Sequence, residues 1–419
     1  MAGDFPADHD RDFPADLALG AGRMIRARSS TTHSSEWHVP TWVHLLGGWQ
    51  HRHPAAAIRL GNAETALLRD VLEGIQVDRP VYIAGLARAG TTKLLELLAA
   101  HPAVVTHRYL DFPPLFTPYW WNRWLALLPQ RPQQAQERAH RDGITVTAES
   151  PEAFEEVLWM AFFPHLHDPA RQAGLDRTTR HPAFEQFYDE HIRKLLAVRG
   201  GSRYVVKGNY NLTRLPYLHQ LYPAARFVVV VRDPVWHIAS LIKQQRLFAA
   251  GESQSPRALE HMRRVGHYEF GLDRRPVNAG RSDITARVAE LWVQGKEVEG
   301  WAIYWADLYR HVADTLTADA ALRHATLLVS YEALCEQPRA TLANLFEHCE
   351  LNRSADQIAD AATGLHPPDY YRPDFTRGEL ELIARVTGPV ASRLAVLAAN
   401  SQLASASGSP GRSVGGVAG

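Results

Sequence analysis

The sequence predicts an α/β protein: a parallel sheet flanked by helices, with large helical insertions between its strands. Three observations carry that prediction. The apolar run Val81-Tyr82-Ile83-Ala84 leads into a small-residue stretch, Gly85 to Gly90, and then into helical apolar spacing from Thr91 to Ala100. A second run, Phe227 to Val231, ends at Arg232-Asp233-Pro234, after which helical spacing resumes. Shorter runs, Tyr204-Val205-Val206 and Thr326-Leu327-Leu328-Val329, extend the alternation of strand and helix. Strands that alternate with helices bury both faces of a parallel sheet.

The elements follow in order. Residues 1–35, rich in Asp, Arg, Ala and Ser, read as a disordered tail with no apolar segment of the kind a signal peptide needs. Residues 36–79 read as a helical preface carrying Trp37, Trp42 and Trp49, with a helical run from about Pro54 to Ile75. The α/β unit begins at Pro80. Between Phe112 and Arg199 the chain is mostly helical and aromatic, with Trp120, Trp121, Trp124, Phe154, Trp159, Phe162 and Phe163. Residues 251–283 interrupt the helical pattern with a segment rich in Gly, Arg and aromatic residues, read as a loop or lid. Helical spacing returns from Ile284 to Leu316, and residues 400–419, dominated by Ser, Ala, Gly and Val, read as a second disordered tail.

Composition narrows the function. At 419 residues and 46% apolar content, the chain can bury one large core or two small ones. Its 45 basic and 45 acidic residues balance, which argues against a surface that wraps nucleic acid. Cys335 and Cys349 lack metal-ligand spacing and fit reduced thiols of a cytoplasmic protein. His165 and His167 have no carboxylate or cysteine cluster beside them, so no metal site is expected. No stretch reaches the ~18–20 continuous apolar residues of a membrane span.

The Gly85–Gly90 stretch is P-loop-like: strand, glycine-bearing loop, helix N-terminus, an arrangement whose backbone N–H groups and helix dipole favour a phosphate. It departs from the nucleotide-triphosphate loop, which needs lysine directly after the second glycine. Here Thr91-Thr92 follow Gly90, Lys93 comes too late, and the cation, Arg88, precedes the glycine. Ala87-Arg88-Ala89-Gly90-Thr91-Thr92 resembles the P-[KR]-S-G-T-T loop of sulfotransferases, which use 3′-phosphoadenosine 5′-phosphosulfate (PAPS) as sulfuryl donor. Ala87 and Ala89 replace the proline and serine of that pattern with other small residues. Lys93 stands where many cytosolic members carry a tryptophan that stacks on adenine.

Three further segments extend the resemblance over about residues 79–350, closest to the bacterial-type, carboxylate-base branch of the family. Arg232, at a strand end, and Ser240, two turns into the next helix, match the family's 3′-phosphate motif; Asp233 reads as the helix N-cap and Pro234 as its first residue. Lys207 matches a lysine that assists sulfuryl transfer, but the catalytic histidine position two residues on holds Asn209, which takes no proton near neutral pH. Tyr331-Glu332-Ala333-Leu334, followed by Pro338, resembles the segment whose tyrosine lies near the adenine. The family's C-terminal R-K-G triplet is missing, with Tyr370-Tyr371-Arg372 or Arg377-Gly378 as replacements.

The resemblance therefore implies a single sulfotransferase-like α/β domain over residues 36–399. The implied donor-binding residues are Arg88, Ala89, Gly90, Thr91, Thr92, Lys93, Arg232, Ser240 and Tyr331. Arg88 and Lys207 would hold charge at the transferred group, with no metal needed. The base must be a carboxylate: Asp111 is the first choice, and Glu152, in the acidic helix start Glu149-Ser-Pro-Glu152, is the second. The acceptor would be a hydroxyl of a small molecule, lipid or glycoside. A P-loop-type small-molecule kinase, or a catalytically silent nucleotide-binding homologue, is the alternative.

Overall fold

The computed structural model describes residues 37–129, 135–137, 140, 145–367 and 371–407. The N-terminal tail, residues 1–35, and the last residues of the C-terminal one, 408–419, lie outside them.

Five parallel strands form the central sheet: β1 (Val81–Ala84), β2 (Val104–Val105), β5 (Arg203–Gly208), β6 (Arg226–Val231) and β7 (Thr326–Ser330), in the order β2-β5-β1-β6-β7. A separate antiparallel pair, β3 (Gln136–Glu137) and β4 (Thr145–Val146), belongs to the insertion between β2 and β5. In the centre, Val81 pairs with Val205 on one side and Arg226 on the other. Because side chains alternate across a strand, each run feeds two cores. Tyr82, Ala84, Tyr204, Val206, Phe227 and Val229 join the larger cluster, and Val81, Ile83, Val205, Val228 and Val230 join the second. That is why these strands read as unbroken apolar runs.

The Thr91–Ala99 helix buries Leu94, Leu95 and Leu98 in the second cluster. The opposite face is covered by the Pro182–Arg199 and Glu297–Ala318 helices, which supply Phe184, Tyr188, Trp301, Trp305 and Tyr309. Each fully buried side chain of this size stabilises by about 1.5–3 kcal/mol. The N-terminal helices, Thr41–Arg52 and Pro54–Leu67, pack on the insertion through Val39, Val43, Phe112, Leu158 and Phe187. A fully buried Lys194–Glu64 pair at 3.0 Å ties Pro54–Leu67 to Pro182–Arg199.

Two expectations change. Residues 251–283 are not one loop: the Pro234–Gln254 helix runs into them, and Pro256–Val265 is a helix begun by a Ser255 side-chain cap. The irregular part, residues 266–281, is pinned along its length. Tyr268 N donates to the Tyr210 hydroxyl at 3.0 Å, Gly271 N to Gln245 at 2.9 Å, Leu272 N to Glu252 at 2.6 Å and Val277 N to the Tyr304 hydroxyl at 3.1 Å. The final helix, Arg377–Ser407, also extends past residue 400, where alanine favours helix over coil. Among the described residues, Arg377–Asn400 is the one helix long and apolar enough to cross a membrane; its Ile383, Val390 and Leu394 are buried in the larger core.

Candidate active site

In a parallel sheet every strand delivers its following loop to the same edge, and ligands bind there. Four such ends meet here: those of β1, β5, β6 and β7.

The β1 loop is held from behind. Gly90 has φ +104° and Arg88 φ +72°. A Cβ on Gly90 would sit 2.5 Å from the Tyr331 ring, so glycine lets the loop pass under that tyrosine. Tyr309 donates its hydroxyl to Val230 O at 2.7 Å and accepts from Leu86 N at 3.3 Å. His237 receives the Trp305 indole N–H on Nδ1 at 3.2 Å, so its proton sits on Nε2, which donates to Ala87 O at 2.8 Å. Burial, with Arg232 and Arg88 nearby, lowers the His237 pKa to about 3 and keeps the ring neutral.

At the end of β6, Asp233 caps the Pro234–Gln254 helix by accepting from Val235 N and Trp236 N at 3.0 and 3.1 Å. This fixes Arg232 at the strand terminus, only 4% exposed. Its Nη1 donates to Arg88 O at 3.0 Å and its Nη2 to the Tyr371 hydroxyl at 2.6 Å, while its Nε is buried without a partner. The Tyr331 ring lies 4.5 Å from the guanidinium. Ser240 accepts from Arg88 Nε at 3.4 Å. Arg88, Arg232, Ser240, Gly90 and Tyr331 thus form one cluster. Two guanidiniums beside a helix N-terminus repel each other and attract an anion.

At the end of β5, Lys207 Nζ donates to Thr92 Oγ1 at 2.8 Å and pairs with Glu152 Oε1 at 3.0 Å. Both partners of this pair are about nine-tenths buried, with 11% and 13% of the side chains exposed. Glu152 is brought there by an Arg108–Pro151 bridge and by its own N–H, which donates to His107 O at 3.0 Å. Asn209 donates to Glu269 Oε1 at 2.8 Å, so the 266–281 segment adds a second carboxylate next to the Lys207 strand end.

Asp111, the first choice as base, is held by partners other than Lys207. Arg199 Nη2 binds both of its oxygens, at 2.6 and 2.7 Å, Arg108 N donates to it at 2.8 Å and Asn122 at 3.1 Å. It is 2% exposed and is a structural anchor between the 109–126 segment and the Pro182–Arg199 helix. Glu149 pairs with Arg108, leaving Glu152 as the carboxylate that joins Lys207. Lys93 also departs from the site: its Nζ pairs with Glu96 along the same helix at 3.6 Å.

Behind Glu152, the Glu155–Phe162 helix carries two acids whose pKa values are driven in opposite directions. Glu155 accepts the hydroxyls of Tyr188 and Tyr204, both at 2.6 Å, and burial without a cation raises its pKa to about 7. Glu156 is less deeply placed, though its burial by itself would still raise its pKa; Arg214 and His167, hydrogen-bonded to it at 2.8 and 2.7 Å, instead bring it to about 2. A cavity of about 270 Å³ opens along this helix, bordered by Phe112, Phe116, Val157, Met160, Ala161 and Arg264.

Glu269 and His237 escaped the sequence reading, which named Tyr371 only within a candidate replacement for the family's C-terminal segment. Of that segment, Tyr370 lies outside the described residues, and Tyr371 meets Arg232. His237 carried a faint signal, lying one turn past the Asp233 cap on the face that meets the loop.

Comparison with protein families matches residues 80–280 to the sulfotransferase family. No curated protein matches the chain. Among solved structures, the chain is similar to sulfotransferase STF9 from Mycobacterium avium at 17% identity and TM-score 0.47, covering 91% of this chain and 97% of that one. It is similar to sulfotransferase STF1 from Mycobacterium tuberculosis H37Rv at 17% identity and TM-score 0.42, covering 89% and 98%. A sulfotransferase from Alicyclobacillus acidocaldarius aligns at 14% identity and TM-score 0.38, covering 77% and 97%. The family match spans β1, its loop, β5, β6 and the helix carrying Ser240, and over these residues the chain is similar to the sulfotransferase family.

Proposed function

We propose that this sulfotransferase takes its sulfuryl group from PAPS and delivers it to a hydroxyl of a small molecule, lipid or glycoside. The observation that carries the reading is the joining of Arg232 and Ser240 to Arg88 beside the Gly90 loop, since a ligand with phosphate-type groups at two positions uses both halves of that cluster. The residues fit such a ligand. The Gly90 cradle is one that a Cβ would fill, and Arg232 holds a buried, unpartnered Nε ready for an anion oxygen.

When bound, PAPS supplies a sulfuryl group on a phosphate leaving group. In this assignment the Gly90, Thr91 and Thr92 amides and Arg88 hold the 5′ end, and Arg232 and Ser240 hold the 3′-phosphate. Tyr331 stacks on Arg232 and walls the nucleotide side. Lys207, already on Thr92 Oγ1, is placed to balance negative charge at the transferred group. Glu152 is the base: its charge is balanced by Lys207, and movement of Lys207 toward an anion lets the carboxylate take the acceptor's proton.

The kinase alternative lacks lysine after Gly90, and the carboxylate nearest the β6 end, Asp233, is committed to its helix cap. Calorimetry with 3′,5′-diphosphoadenosine, 5′-AMP and ATP, each with and without magnesium, tests the choice. The diphosphate should bind without metal and ~10- to 100-fold more tightly than 5′-AMP, as one or two charge-assisted contacts imply. Equal affinity for the two would overturn the reading, and magnesium-dependent preference for ATP would favour the kinase. Turnover of labelled PAPS against an acceptor panel then separates an enzyme from a silent homologue.

A further inference from the structure

We infer that the Thr41–Arg52 and Pro118–Ala126 helices together form a docking face for an anionic lipid surface. The first of these helices is built inside out. Val43, Gly47 and Gln50, at i, i+4 and i+7, are buried. With Gly48 they make the side that packs on the body. A Cβ on Gly47 would sit 3.5 Å from the Phe112 ring, and one on Gly48 would sit 3.1 Å from the Arg264 guanidinium. Leu45, Trp49 and Arg52, spaced in the same way on the other side, face outward, with Leu45 62% and Trp49 37% exposed. Two glycines thus serve the packed side while the bulky apolar residues meet solvent, the reverse of an ordinary surface helix.

The Pro118–Ala126 helix continues this surface. Trp42, one turn before Leu45, brings its ring to 6.3 Å from that of Trp121, which stacks on Trp124 at 4.9 Å. Trp120, Trp124 and Leu127 recur at i, i+4 and i+7, and Leu127, at the C-cap, is 81% exposed. Among the described residues, the three buried clusters contain none of Trp120, Trp121 and Trp124. Single exposed apolar side chains are ordinary, but a continuous apolar surface marks an interaction site. Charge names the occupant. Neither helix contains an Asp or Glu, in a chain whose charges balance overall. Arg52, one turn from Trp49, and Arg123, one turn from Trp120 and Leu127, are both exposed. A second copy docked through the same face would set these arginines against like charges. A bilayer with anionic headgroups instead pairs with the arginines, seats the tryptophans at the interfacial level and takes up Leu45 and Leu127. The inference uses none of the residues at the sheet edge and stands apart from the PAPS reading.

Flotation of the whole protein with vesicles tests this, using phosphatidylcholine alone and phosphatidylcholine mixed equally with phosphatidylglycerol. The mixed vesicles should bind the protein, and pure phosphatidylcholine should hold it about 25-fold more weakly, two arginines near an anionic surface contributing about 5-fold each. Leu45→Glu and Leu127→Glu each place a carboxylate on the face at an exposed position, so thermal unfolding should stay near wild type. Each should weaken binding to mixed vesicles by ~10-fold or more. Arg52→Gln combined with Arg123→Gln should bring the mixed vesicles down to the level of phosphatidylcholine, and high salt should do the same to wild type. No vesicle binding by wild type, equal binding to both vesicles, or mixed-vesicle binding that survives Leu45→Glu and Leu127→Glu overturns the inference. Self-association without lipid in sedimentation velocity, lost in Leu45→Glu, assigns the face to a second copy and overturns it too.

Discussion

Glu152→Gln is the substitution that separates chemistry from architecture. The amide keeps the shape of the side chain and retains an oxygen for Ala153 N, which donates to Glu152 Oε1 at 2.7 Å, but it cannot take a proton. A lost general base typically costs ~10²–10⁴ in rate, or about 3–5 kcal/mol of barrier. Diphosphoadenosine affinity should hold or rise slightly, because Lys207 no longer has a carboxylate 3.0 Å away competing for it. Asp111→Asn is the contrasting case. It breaks an ion pair whose side chains are 6% and 2% exposed, and removing one partner of such a buried pair costs about 3–5 kcal/mol of stability. Its turnover per folded molecule should stay near wild type. Three measurements on both variants suffice: turnover of labelled PAPS, diphosphoadenosine calorimetry and urea unfolding. Wild-type turnover in Glu152→Gln, or lost turnover without lost stability in Asp111→Asn, would refute the assignment of the base.

Lys207→Ala should lower kcat far more than it raises the KM for PAPS, and steady-state kinetics that show the reverse would remove Lys207 from the charge-bearing role. Gly90→Ala places a Cβ 2.5 Å from the Tyr331 ring at φ +104°, so diphosphoadenosine binding should be lost and stability should fall by about 1–3 kcal/mol, as calorimetry and thermal unfolding would report. Glu155 holds its proton in the folded protein up to about pH 7, against an ordinary value of 4.5, so unfolding releases a proton between those limits. Its stabilising contribution is therefore complete below about pH 4.5 and lost by about pH 7, a fall of about 3 kcal/mol. Glu155→Gln, which still accepts both tyrosine hydroxyls, should flatten that slope in urea titrations across the window.

The parts of the site legible in the sequence are those built by neighbours in the chain. Gly85–Thr92 and Arg232–Pro234 each combine a strand end, a turn and a helix start within a few residues, and local rules fix all three. Which of the two candidate carboxylates meets Lys207 is decided non-locally. Asp111 and Glu152 lie on adjoining segments through the Arg108–Pro151 bridge, and what separates them is partnership. Arg199 claims Asp111 from a helix far along the chain, and Lys207 claims Glu152 from β5. Neither pairing leaves a periodicity or motif. Glu269 was hidden for the same reason, since it reaches the sheet edge from a segment with no regular pattern of its own.

His237 gives the loop over β1 a property that goes beyond position. Its ring links Ala87 to Trp305 on the Glu297–Ala318 helix, and it does so uncharged until the surroundings approach pH 3. The loop's shape is thus settled when the chain folds, before any ligand arrives. Association then loses less conformational entropy than it would with a loop that had to order itself. The same wiring shields the loop from acid: well above pH 3 the His237 ring stays neutral and both of its hydrogen bonds stand.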